Sequence, residues 1–368
     1  MINLHDLTLV IPAYNRPTYL ARQVEYWAGT GVHLCILDGS KEKAPDSVIS
    51  QLSENMHYEY MPIGFNDRLV HAANIVKTKY VALLGDDELY VKQGLRDCLD
   101  LLDADSRLIG CVGRSLFFFE RDGEIFGHQV YEQSQDVVDM YGDDLQRLQN
   151  SFPNGDPSSA PYLLYGVFRK DAWSTMFSNA YSRHYSSGYV YELAVLIIGA
   201  CLGPTKMVNS LVWLRSGENP AMSSAAVNRK IGTGEWGTSA EFRDEYSDFI
   251  KRITSVLVSN GVGTADQVEK CVSEVAEHFF AYSLHKPHRP IAYWHRVLYF
   301  AARNTPRWVK ILLKRNMTKS LGKVLDYKGI ALRDALDEIK HRGISFNEGE
   351  MKDTEKFLVQ FHSRLKAS

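Results

Sequence analysis

Five short strand-like runs, alternating with helical stretches and stopped by polar or turn residues, constrain this chain more than any other feature. Residues 7–12 (LTLVIP), 32–37 (VHLCIL) and 80–84 (YVALL) are continuously apolar, as strands buried on both faces of a sheet must be. Residues 57–61 form a shorter strand and 108–112 a fifth. Between them, residues 16–30, 47–54, 66–77 and 91–102 are helical. Leu20, Val24 and Trp27 recur at helical spacing, as do Leu69, Ala72, Ala73 and Val76. This alternation predicts an α/β chain built on a parallel sheet with helices on both faces. Such sheets bind ligands beyond the carboxyl ends of their strands. Here those ends read Tyr14-Asn15-Arg16, Asp38-Gly39-Ser40 and Asp86-Asp87-Glu88, which points to one shared site.

The chain has 368 residues, and at about 150 residues per domain that predicts two domains. Residues 114–216 are mixed. A hairpin is expected from 116–120 and 124–130 around Asp122-Gly123, a loop at 154–161, and strands at 162–169 and 206–215. Helices are expected at 172–177 and 192–198. Residues 216–237 turn polar and glycine-rich, and beyond them helical periodicity dominates. The division expected is 1–235 for the α/β domain and 236–368 for a helical C-terminal domain.

Lys and Arg total 42 and Asp and Glu 44, so no whole-chain basic excess suggests a nucleic-acid partner. The five cysteines are scattered and form no CxxC pair, which predicts reduced, buried thiols and a cytoplasmic setting. Residues 1–6 lack the regions of a signal peptide. The longest apolar run, residues 193–202 (LAVLIIGACL), is far short of the roughly 20 residues that span a bilayer. No GxxxxGK[ST] loop occurs. A literal GxGxxG at Gly232, Gly234 and Gly237 lacks the preceding strand and following apolar helix that a dinucleotide site requires. A flexible loop, one that closes over a ligand, is expected there.

The acidic run Asp86-Asp87-Glu88 follows an apolar strand, and three adjacent acids need solvent or a cation. A solvated turn with a helix cap would produce the same triplet. At a strand's carboxyl end, however, oxygen ligands suit Mg²⁺ or Mn²⁺ shared with substrate phosphates.

Four segments, in order, resemble the inverting GT-A glycosyltransferases, similar to the large glycosyltransferase family 2. They are Leu9-Val10-Ile11-Pro12-Ala13-Tyr14-Asn15-Arg16, Leu37-Asp38-Gly39-Ser40, the helix opening Asn66-Asp67-Arg68 with Ala72, Ala73 and Asn74, and YVALLGDDE at 80–88. The resemblance covers about the first 215 residues. It implies a GT-A fold (Rossmann-like, mostly parallel sheet) with a helical C-terminal extension, and a nucleotide-sugar donor, UDP-linked. It places donor binding on Pro12, Tyr14, Arg16, Asp38, Asp67, Arg68 and Asp86, with Asp87 and Asp86 as ligands of a divalent cation (Mn²⁺ or Mg²⁺). Where many members carry D-x-D-D, this chain has Gly85-Asp86-Asp87-Glu88, so the first aspartate is missing. The family's base motif is nearest at Tyr189-Val190-Tyr191-Glu192-Leu193, which makes Glu192 the expected catalytic base, with His184 and Asp171 as alternatives.

On this resemblance the chain moves a sugar, with inversion, onto a saccharide or lipid-linked saccharide acceptor, in bacterial polysaccharide assembly. The competing expectation is a catalytically silent GT-A-fold carbohydrate-binding or assembly protein. Tyr181, Tyr185, Tyr189, Tyr191, Trp213 and Trp236 could stack on acceptor sugars or pack the core. The basic, aromatic-rich stretch 286–323 suits either a packed helical subdomain or contact with an anionic membrane.

Overall fold

All five residues of β1 (Leu7–Ile11) are buried, as an apolar run in mid-sheet requires. The computed structural model describes residues 4–131, 142–152, 163–219, 231–285 and 330–367. In it β1 pairs in parallel with β2 (His33–Asp38) on one side and β4 (Tyr80–Leu83) on the other. β3 (Met56–Tyr60) adds to β2, again parallel. The connections are α1 (Pro17–Trp27), α2 (Asp46–Ile49) and α3 (Phe65–Ile75). Pro17 opens α1, where its missing N–H costs nothing. The helix expected over 47–54 is cut to the single turn of α2.

Beyond β4 come β5 (Leu89–Tyr90), α4 (Lys92–Ala104) and the long β6 (Gly110–Arg121), which runs well past the 108–112 expected. β6 turns back as β7 (Glu124–Val130) through Asp122 and Gly123, whose φ angles of 56° and 85° suit a two-residue hairpin. Next are α5 (Asp144–Asn150), β8 (Val167–Arg169), α6 (Lys170–Tyr181), α7 (Tyr189–Leu202) and β9 (Thr205–Ser216). The strand expected over 162–169 is reduced to β8, and the helices expected at 172–177 and 192–198 grow into α6 and α7. The 154–161 loop lies outside the described residues.

α8 (Thr233–Thr238), α9 (Arg243–Ser259), α10 (Ala265–His285), β10 (Ile330–Ala331), α11 (Leu332–His341) and α12 (Glu348–Ala367) complete the described chain. The sheet order is β10-β7-β6-β8-β4-β1-β2-β3, with β9 alongside β6 and β5. This is the α/β sheet with helices on both faces expected from the sequence. Its parallel half is β3-β2-β1-β4, and β8 joins antiparallel to both β4 and β6.

Strand alternation divides the core between the two faces. Val10 and Leu37 belong to a cluster with residues of α3, α6, α7, α9 and α10. Leu9 and Ile36 belong to another, with α1, α4, α11 and α12. The C-terminal helices therefore cover both faces. All five cysteines are buried free thiols. No helix among the described residues is long and apolar enough to cross a membrane, and the 286–323 stretch lies outside them.

The Gly232, Gly234 and Gly237 segment is not the flexible loop expected. It forms α8, and its glycines let α8 sit directly on α10. A Cβ on Gly237 would lie 2.0 Å from Phe280 Cγ, and one on Gly234 2.7 Å from Leu284 Cγ.

The start of α4 has no cap of its own, since Val91 stands at the N-cap. Glu350 of α12 fills that role: its carboxylate accepts from the backbone N–H of Lys92 and, at 3.0 Å, of Gln93. Glu350→Ala is expected to cost about 1–2 kcal/mol, the value of a lost helix cap. Urea unfolding of the variant beside wild type measures it.

Candidate functional site

Backbone hydrogen bonds and one buried arginine stitch the carboxyl ends of β1 and β2 together. Asn15 adopts φ 54°, a left-handed conformation that asparagine tolerates. Its N–H donates to Ser40 Oγ at 2.7 Å, and its side-chain oxygen accepts from the Lys41 N–H at 3.0 Å. Gly39 N–H donates to Ala13 O at 3.0 Å. Beneath them Arg68, 1% exposed, donates from Nη1 to Ala13 O (2.6 Å) and to Leu37 O (2.7 Å). A Cβ on Gly39 would lie 2.4 Å from Arg68 Cζ, so the glycine of Asp38-Gly39-Ser40 is what lets the guanidinium pass under the turn. Burial pulls the Arg68 pKa down, against the charges of Asp38 and Asp86. Arg68 thus holds two strand ends in place.

Asp38 is buried and already well bonded. Oδ1 accepts from the Ser40 N–H (3.0 Å) and Ser40 hydroxyl, and Oδ2 from Tyr58 OH (2.7 Å). A cavity of about 360 Å³ opens beside these turns, lined by Ala13, Asn15, Arg16, Asp38, Ser40 and Lys41 among others. Pro12 is buried at the end of β1.

The acidic run lies at the carboxyl end of β4, next to this cavity. Asp86 Oδ1 receives Arg16 Nη1 at 2.9 Å, and Oδ2 faces the Tyr14 N–H at 3.4 Å. The same Arg16 nitrogen stands 3.4 Å from Asp87 Oδ2, which also accepts from Asn219 Nδ2 at 3.0 Å. Burial, only partly offset by Arg16, pushes Asp86 up to about 6.

Glu88 neither caps a helix nor faces solvent. It is buried and accepts from Trp213 Nε1 at 3.2 Å. Burial, with the charge of Asp87, pushes it up to about 8. The loop's carbonyls are gathered by Gln23 of α1, whose Nε2 donates to Asp86 O (2.9 Å) and Glu88 O (2.6 Å). Gln23 was not expected. The available signal was an amide on the apolar face of α1, four residues before Trp27, whose Nε1 in turn donates to it at 3.0 Å.

The donor set fits a divalent cation of modest demands. Both Asp86 oxygens are engaged, whereas Asp87 Oδ1 has no protein partner among the described residues. No cluster of three or more His, Cys, Asp or Glu suited to a metal occurs among those residues. One carboxylate completed by phosphate oxygens and water is the way Mg²⁺ and similar ions usually bind.

Glu192 lies in the first turn of α7. Its charge, like that of Glu88, acts on Tyr131 and Tyr165, although burial is the main cause that raises both phenols. Tyr165 stacks on Trp213 with ring centroids 4.1 Å apart, and Tyr131 OH accepts from Arg215. Glu192 and the acidic run therefore flank one aromatic group.

Other expected residues lie elsewhere. Asp67 is exposed and faces His184 at 4.0 Å. Asp171 is 93% exposed and pairs with Lys170. It sits beside β8, whose Arg169 is in register with Tyr80 at the opposite end of β4, so it is removed from the acidic run. It caps nothing, since Arg169 stands at the N-cap of α6. Arg169 itself closes the end of α4, donating to Leu102 O and Leu108 O. Of the aromatic residues weighed for an acceptor, Tyr181, Tyr191, Trp213 and Trp236 are buried, and Tyr189 is the exposed one. Tyr181 and Tyr191 stack within the core.

No protein-family model and no curated protein matches the chain. Among solved structures it is similar to S. aureus TarS, at 12% identity with a TM-score of 0.47, over 83% of this chain and 50% of that one. The chain thus spans half the length of that protein. It is also similar to S. aureus TarS 1-349 in complex with UDP-GlcNAc, at 12% identity and a TM-score of 0.46, over 93% of this chain and 97% of that one. Glucosyl-3-phosphoglycerate synthase from Mycobacterium tuberculosis, in complex with phosphoglyceric acid, is similar at 13% identity and a TM-score of 0.37, over 70% of this chain and 81% of that one.

Proposed function

We propose that this protein is an inverting glycosyltransferase that moves a sugar from a nucleotide donor, UDP-linked, to a saccharide or lipid-linked saccharide. The observation that carries this is the Asp86–Asp87 pair at the carboxyl end of β4. Arg16, which lines the cavity between the β1 and β2 turns, contacts both carboxylates. A parallel sheet places its ligand at that point, and an arginine beside carboxylates provides for both phosphate and cation.

Each residue then has a task. A carboxylate offers about four acceptor sites. Three on Asp38 are engaged, leaving one for the ring N–H of uracil while Ser40 and Tyr58 keep the turn rigid. Arg16 swings from the carboxylates to the diphosphate, a ligand its planar fork suits. A divalent cation held by Asp87 would supply Lewis-acid stabilisation of the charge that builds on the leaving diphosphate. Glu192 takes the proton from the acceptor hydroxyl as it attacks the anomeric carbon.

Calorimetric titration of UDP, GDP and CDP, with and without Mn²⁺, tests this. UDP is expected to bind most tightly, Mn²⁺ to strengthen it, and Asp87→Ala to remove the metal effect. Binding that ignores Mn²⁺ would leave the phosphates to Arg16 alone and overturn the cation role. No nucleotide binding at all would overturn the transferase in favour of a silent scaffold.

A further inference from the structure

The acidic run is held from behind by a buried polar node that includes the C-terminal helix. Arg22 of α1 is fully buried. Its guanidinium packs over two touching rings, 4.6 Å from the Tyr19 centroid and 4.8 Å from that of Phe361 on α12. Nη1 donates to Glu218 Oε2 at 2.8 Å and Nη2 to the backbone carbonyl of Asp87. The other Glu218 oxygen pairs with His362 Nε2, also on α12. The residue after Glu218 is Asn219, whose amide donates to Asp87 Oδ2. Asp87 is therefore fixed twice, at its carbonyl by Arg22 and at its carboxylate by Asn219, and both holds radiate from Glu218.

Stability does not explain such a node. A buried ion pair is often no better than apolar residues of equal volume, and α12 already packs against α1 through Phe361 and Tyr19. What apolar packing could not supply is direction: a fixed carboxylate in the 216–219 turn that aims Asn219 and Arg22 at one residue. We infer that His362 and Glu218 are positioning residues for Asp87, so that docking of the C-terminal helix completes the acidic site. The structural part stands on these contacts, and its consequence for nucleotide binding rests on the function proposed above.

Hydrogen exchange on the full-length free protein tests the positioning, and UDP–Mn²⁺ titration tests the consequence. His362→Leu is expected to speed exchange of the 84–90 segment about tenfold, because local opening reports the contacts that hold a segment, and to weaken UDP binding. His362→Gln, which keeps a hydrogen-bond donor, is expected to restore both. Asn219→Ala added to His362→Leu is expected to cost no further UDP affinity, since residues acting along one path are not additive. Met351→Ala, in the same helix and buried away from the node, lowers the melting temperature without changing exchange at 84–90. Equal exchange at 84–90 in His362→Leu and Met351→Ala overturns the inference. Wild-type protein that binds no UDP overturns the proposed function, and the exchange result still decides the positioning. If His362→Leu does not fold, Glu218→Asp carries the same expectation.

Discussion

Replacing Glu192 by glutamine is expected to slow sugar transfer by about 10²–10⁴-fold, the usual worth of a general base, with nucleotide affinity unchanged. The substitution keeps the shape of the side chain and removes its capacity to take a proton. Two carboxyls act on the Tyr131–Tyr165 aromatic group, and their environments set them apart. Glu88 is enclosed, bonded to Trp213 and pushed up to about 8, so near neutral pH it keeps its proton and cannot accept another. Glu192 lies in the opening turn of α7 and is only half-buried. Single-turnover transfer with a UDP-sugar donor, beside calorimetric UDP binding, separates the two effects. A Glu192→Gln enzyme with wild-type turnover would remove Glu192 as the base.

What the sequence made legible was local. Apolar runs with polar ends located the parallel half-sheet and brought Arg16, Asp38, Asp86 and Asp87 to one edge. Asp122-Gly123 announced its hairpin because the turn chemistry is contained in two residues. Roles set by distant partners left no local trace. Nothing near Arg68 signals that its guanidinium will lie under Gly39 and bind two carbonyls. Nothing near Val91 signals that α4 will be capped by Glu350, more than 250 residues later. The Gly232, Gly234 and Gly237 spacing looks like a loop until Phe280 and Leu284 of α10 are placed against it. Glu88 is buried against Trp213, a partner the spacing of Asp86-Asp87-Glu88 does not contain.

The largest loss of stability is expected at Arg22. Arg22→Leu should destabilise the protein by about 3–5 kcal/mol, the cost of removing one partner of a buried ion pair. That is a large share of the 5–15 kcal/mol typical of a folded protein. The loss has identifiable parts: Glu218 keeps its charge with only His362 against it, the Asp87 carbonyl loses a donor, and Tyr19 and Phe361 lose the cation packed on them. Adding Glu218→Leu should recover much of it, because the uncompensated charge is then gone. The pair also fixes the sign of the pH dependence. Burial pushes the Glu218 carboxyl up, but the His362 hydrogen bond and the Arg22 charge outweigh it and hold the pKa below the ordinary 4.5. On acidification the unfolded chain therefore binds this proton first. The contribution is fully present above pH 4.5 and is lost as pH falls through the lower, folded value. Urea unfolding at pH 7 and pH 4 should show wild type losing more stability on acidification than the Arg22→Leu/Glu218→Leu double variant. A loss below about 1 kcal/mol for Arg22→Leu at pH 7 would mean that the aromatic packing of α1 on α12, and not the ion pair, holds this corner of the site.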